Sequence, residues 1–91
     1  MISINQINAF PNAKYQVQIK GKQKTTHEVT LSESDYLRLR AGEEEPEELI
    51  KRSFEFLLER EANTSILSAF DLTLIGSYFP EYERVIGAVD N

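Results

Sequence analysis

Residues 46–61, PEELIKRSFEFLLERE, constrain the fold more than any other stretch of the chain. At roughly 100° per residue, Leu49, Ile50, Ser53, Phe54, Phe56, Leu57 and Leu58 cover about 200° of helical arc. Lys51, Arg52, Glu48, Glu55 and Glu59 fill the opposite side. A helix lying on a surface needs a narrower apolar stripe. This one must therefore be packed on two sides and must form the centre of a core, with Phe54 and Leu57 well inside it. Pro46 suits its first turn, and the glutamates around it suit the positive end of the helix dipole. Glu47 with Lys51 and Glu48 with Arg52 have the favoured order for ion pairs one turn apart.

What packs against this helix is read from the preceding residues. AKYQVQIK, residues 13–20, alternates Tyr15, Val17 and Ile19 with Gln16, Gln18 and Lys20. HEVTL, residues 27–31, alternates His27, Val29 and Leu31 with Glu28 and Thr30. A period of two with β-branched residues predicts two strands. If both apolar sets share one face, odd residues oppose odd residues, and the loop around Gly21 holds an odd number of residues or a bulge. The register expected is Val17 opposite Val29, centred on Gln23. Ile2 and Ile4 also alternate, so residues 1–12 read either as an extra short strand or as a loose amino terminus.

Ser32 followed by Asp35 resembles a capping box and starts a helix over roughly 33–41, with Gly42 as its stop. Beyond the central helix, ANTSILSAF predicts a short helix from Asn63 or Thr64 that buries Ile66, Leu67 and Phe70. Asp71 caps another helix over LTLIGSYF, and Pro80 bends the chain. PEYERVIGAV resumes with Tyr82, Val85, Ile86 and Val89 at helical spacing. The expected fold is α+β: an amino-terminal antiparallel β-hairpin, of two or three strands, packed against a bundle of about four helices. With 91 residues, the chain reads as a single domain.

Charge and composition narrow the function. The net charge is −5, yet residues 1–26 carry four lysines and no acid, while the rest carries fifteen acids against six bases. The bulk charge argues against direct nucleic-acid binding. Lys20, Lys22 and Lys24 read as solvated residues of a turn; attraction between unlike ends of neighbouring molecules is the other reading. The chain has no cysteine, which points to a reducing compartment, and no leader or membrane-length apolar run is visible. A cytoplasmic protein with no membrane partner is expected.

Chemistry is hard to find. Nucleophilic catalysis needs an activated Ser, Cys or Lys beside a base, and the one histidine, His27, sits in strand phase with Val29 and Leu31. It reads as a satisfied side chain at the edge of the core. GEEEPEE fits a helix end and a helix start better than a calcium loop. The four glycines form no phosphate loop. SILSAFDLTLIGSYF has the outline of a helix-turn-helix, but Leu72 to Phe79 holds no Lys, Arg, Asn or Gln to reach a base edge. No catalytic residue, metal site or cofactor is expected.

The remaining signal is scarcity of charge. Residues 62–80 carry one charged residue, Asp71, in a chain that is 27% charged. On the helix from residue 72, Leu72, Leu74, Ile75, Tyr78 and Phe79 take about 160° of arc. Leu72, Ile75 and Phe79 are expected in the core, and Tyr78 and Tyr82 with their hydroxyls near the surface. The other side shows only Thr73, Gly76 and Ser77, small residues expected to be covered by another helix or by another chain. Thr73, Gly76, Ser77, Tyr78 and Tyr82 are therefore the candidate interaction surface, for a second copy or a different protein.

The segments FEFLLERE, SIL, FDL, Ile75 and YFPEYE together resemble a family of small bacterial proteins with no established activity. The likeness covers Phe54–Glu61, Ser65–Leu67, Phe70–Leu72, Ile75 and Tyr78–Glu83, and more loosely the hairpin, but not residues 1–13. It implies a prokaryotic, self-contained domain and transfers no catalytic or binding residue. The leading expectation is a non-enzymatic interaction or regulatory module, with a protein partner or as a homodimer. The rival is a small-ligand binder or enzyme with a pocket between hairpin and helices. A third reading, an acidic mimic of nucleic acid, requires the glutamates at 43–48, 55 and 59 to form one continuous face.

Overall fold

The structure is a computed structural model and describes residues 1–87. It is α+β, a four-stranded sheet with helices on one face. The strands are β1 (Ile2–Asn8), β2 (Asn12–Lys20), β3 (Lys24–Ser32) and β4 (Ala69–Asp71). They lie side by side in that order, β1–β2–β3 antiparallel and β4 parallel to β3. The helices are α1 (Glu33–Leu39), α2 (Pro46–Leu58), α3 (Ile75–Tyr78) and α4 (Tyr82–Gly87). Val89, placed by spacing on the last helix, lies outside the described residues.

The amino terminus is a strand: Ile2 and Ile4 pair with Ile19 and Val17. β2 and β3 turn one face to the helices, burying Ala13, Tyr15, Val17, Ile19, His27, Val29 and Leu31. Their register is Tyr15 opposite Val29 and Val17 opposite His27. That differs by two residues from the register centred on Gln23, and the loop is Gly21–Gln23. A shift of two leaves every side chain on the same face, so alternation is blind to it. The Tyr15 hydroxyl is buried without a hydrogen-bond partner. Burial first, and the nearby charge of Glu47 next, hold that phenol above its ordinary pKa.

α2 behaves as its arc requires. Leu49, Ile50, Ser53, Phe54, Phe56 and Leu57 are buried between the sheet and the other helices. A capping box closes its start: Glu48 reaches back to the Glu45 backbone while the Glu45 side chain accepts from the third residue of the helix. Arg52 does not turn to Glu48. It meets Glu44 with Nε–Oε2 at 2.5 Å and Nη2–Oε1 at 2.7 Å, and donates through Nη1 to the Ile86 carbonyl at 3.1 Å. Glu44 also accepts from the Ala41 N–H at 3.1 Å, and its backbone carbonyl accepts from the Tyr36 hydroxyl. Gly42 sits in this loop with φ of 57°, a left-handed conformation that a side chain would resist. It serves the turn from Ala41 to Glu44 rather than the end of α1, which is closed by Arg40.

The carboxyl-terminal half departs furthest from expectation. No helix runs over residues 63–70. A single 3-10 turn at Asn63–Ser65 is followed by extended chain that ends in β4. Ile66 is buried there, Phe70 half-buried, and Leu67 exposed. Long-range hydrogen bonds hold the segment straight: Glu28 N–H donates to the Ser68 carbonyl at 2.8 Å, and Thr30 Oγ1 donates to Asp71 Oδ1 at 2.8 Å. Asp71 then caps the next turn as expected, accepting from the Thr73 N–H at 3.1 Å. That turn is 3-10 over Leu72–Leu74 and continues into α3.

Candidate functional site

The charge-poor stretch contributes most of an open groove of about 400 Å³. It is lined by Leu57 of α2 and Glu61 just beyond it, by the Ser65–Leu67 segment and Phe70 of β4, and by Leu74, Ile75, Tyr78 and Phe79 in and around α3. Two large apolar side chains on its rim meet solvent: Leu67 is 46% exposed and Tyr78 64%. None of the lining residues belongs to β1, β2 or β3, so the groove is not the expected pocket between hairpin and helices.

The wall carrying Leu67 is pinned by His27. Its Nδ1 lies 2.7 Å from the Leu67 carbonyl and its Nε2 lies 2.9 Å from Thr25 Oγ1. A carbonyl can only accept, so Nδ1 carries a proton. Asn63 Nδ2 donates to Thr25 Oγ1 and to the Gln23 carbonyl, each at 2.9 Å. His27 is thus a buried tie between hairpin and groove wall, the satisfied histidine that its strand phase suggests. Among the described residues, no three His, Cys, Asp or Glu side chains gather as a metal site requires.

The five residues of the candidate interaction surface do not form one exposed face. Tyr78 alone lines the groove. Ser77 is exposed, and Thr73 spends its hydroxyl on Asp71 Oδ2 at 2.6 Å. Tyr82 is a correction: it is fully buried, not a surface residue, and its hydroxyl lies 2.8 Å from Ser53 Oγ. Burial pushes its pKa up to about 12, against the lowering effect of the Ser53 bond. The Ser53 hydroxyl also donates to the Leu49 carbonyl at 2.9 Å within its own helix, so its place in the apolar arc of α2 did not by itself call for a partner from α4. Phe79 is half-buried and packs edge-on to Phe56 at 5.9 Å, and Val85 is 41% exposed rather than buried.

Gly76 faces α4 within the same chain. A Cβ there would meet Glu83 Oε2 at 3.8 Å and Tyr82 Cδ2 at 3.9 Å, which is ordinary contact. Close backbone approach therefore does not require this glycine. Gly76→Ala is expected to raise stability by about 0.5–1 kcal/mol, through helix propensity and a less free unfolded chain. Thermal melts of the two proteins check this, and a lower melting temperature would show that the space is tighter than it measures.

The glutamate run is also broken as a surface. The Glu44 side chain is 9% exposed and turned to Arg52, which removes it from any continuous acidic face. No helix among the described residues is long and apolar enough to cross a membrane. No family model, curated protein or solved structure matches the chain.

Proposed function

We propose that this protein is a non-enzymatic interaction module that receives an apolar segment of a partner protein in the groove beside β4. The observation that carries the reading is the groove itself, with Leu67 and Tyr78 left on its rim in a small chain that buries its other aromatic residues wholly or in part. Exposed apolar surface of this kind marks interaction sites, and tyrosine serves well at them. Glu61 is the one charged side chain lining the groove, and it makes no ion pair among the described residues. A segment with a Lys or Arg beside its apolar anchors fits best. The commitment of both His27 nitrogens to structural bonds supports a role other than catalysis, and a chain without cysteine suits a cytoplasmic location. The volume also falls within the range of small-molecule sites, which supports a second reading, a small apolar ligand.

Selection of random displayed peptides on the immobilised protein tests the first reading. Enriched peptides are expected to combine large apolar residues with one basic residue. Leu67→Glu and Tyr78→Ala should each weaken their binding by about tenfold or more, while stability stays within about 0.5 kcal/mol because both side chains are exposed. Failure to enrich any peptide, or enrichment indifferent to both substitutions, would remove the reading. Binding of an apolar dye that depends on Tyr78, without peptide enrichment, would favour the second.

A further inference from the structure

The sheet has two edges, and they are unlike. β4 is three residues long and ends in Asp71, whose charge and brevity discourage further pairing. β1 has neither protection. Its seven residues, ISINQIN, include no charge and no proline, and it stands at one end of the strand order, paired on one side alone. An uncharged edge of this length is a template for another strand.

Which of its groups are free can be worked out. Lys20 N–H donates to the Met1 carbonyl at 2.9 Å, and the Met1 ammonium donates to the Lys20 carbonyl at 3.1 Å. In an antiparallel ladder such mutually bonded pairs alternate with unbonded ones. Met1, Ser3 and Asn5 therefore spend their backbone groups on β2, while Ile2, Ile4 and Gln6 turn theirs to the open edge. The register shifts between Gln6 and Asn8, which leaves Ile7 unpaired and ends the straight stretch.

We propose that β1 pairs antiparallel with β1 of a second copy, about a twofold axis at Ile4, joining the two sheets into one. Of the registers that oppose outward groups to outward groups, the one centred on Ile4 alone uses all of them: Ile4 faces its own copy, and Ile2 faces Gln6. The side chains agree. On the helix side, Ile4 meets Ile4, and the half-buried Ile2 and Ile4 gain the cover they lack. On the open side, Ser3 meets Asn5. No charge opposes charge within the joined strands, and the pairing is self-complementary as a twofold contact must be. The groove lies at the β4 end of the sheet and stays open in such a pair, so this surface is separate from the one above.

Sedimentation and amide hydrogen exchange over a range of concentrations test the pairing. A monomer–dimer equilibrium is expected, with the Ile4 amide exchanging more slowly as concentration rises and the Ser3 amide protected throughout. The double variant S3K/N5K sets lysine against lysine twice across the axis and should weaken association about tenfold or more. S3K/N5E sets lysine against glutamate in the same places and should restore it. Ser3 and Asn5 are exposed, so both variants are expected to keep the fold, which circular dichroism checks. A chain that stays monomeric, a dimer indifferent to S3K/N5K, or one lost equally in both variants would overturn the proposal.

Discussion

Phe54→Ala is expected to lower stability by about 3–5 kcal/mol. The ring is fully buried and lies 5.7 Å from the His27 ring and 6.0 Å from Phe70. It therefore supports β3, β4 and the wall of the groove at once. A domain of this size holds on the order of 5–10 kcal/mol in total, so much of the variant should be unfolded in dilute buffer. Urea melts read the effect as a large drop in midpoint with little change in slope. A loss under about 1 kcal/mol would mean that the surrounding chain collapses into the vacated space.

Arg52→Met is expected to cost about 2–4 kcal/mol, because it strands a mostly buried carboxylate. The loss is below that of a fully enclosed pair, since Arg52 keeps 23% of its side chain in solvent. It should depend on pH in a definite direction. Burial raises the Glu44 pKa, but the Arg52 hydrogen bonds, the Ala41 N–H and the Arg52 charge outweigh it, so the carboxyl titrates below its ordinary 4.5. A group depressed on folding contributes its stability above the unfolded pKa and loses it as pH falls through the folded value. The native protein should therefore weaken below about pH 4.5, and the gap to the variant should narrow over the same range. Melts at neutral and acid pH measure this; a gap that is constant with pH would detach Glu44 from the effect.

The parts of the fold legible in the sequence were those built from local periodicity. The arc on α2, the alternation in β2 and β3, and the caps at Ser32 and Asp71 all describe neighbours within one element. β4 was not legible because its straightness is imposed from outside. Ile66, Leu67 and Phe70 fit a helical stripe as well as a strand, and only bonds to His27, Glu28 and Thr30 decide between them. Tyr82 was misplaced for a similar reason: an exposed hydroxyl and one matched to Ser53 look alike until α2 and α4 are docked. The charge-poor stretch at 62–80 did mark the groove. Of the residues expected to make contact, Gly76 is covered by α4 of the same chain, Tyr78 lines the groove and faces solvent, and Leu67 was not among them.

The parallel pairing of β3 with β4 also predicts an order for the assembly of the molecule. Its ties span long separations, 40 residues from His27 to Leu67 and 41 from Thr30 to Asp71, whereas the hairpin closes over a tight loop. Long closures are entropically costly until something else has brought their ends together. The β4 segment rests on β3 and on Phe54 of α2, so it is expected to dock after both exist. An element that arrives last on few bonds is the first to lift away. An occupant of the groove would bridge that segment to α3 and act as a clasp on the finished fold. Its grip would show in a slower rate of unfolding.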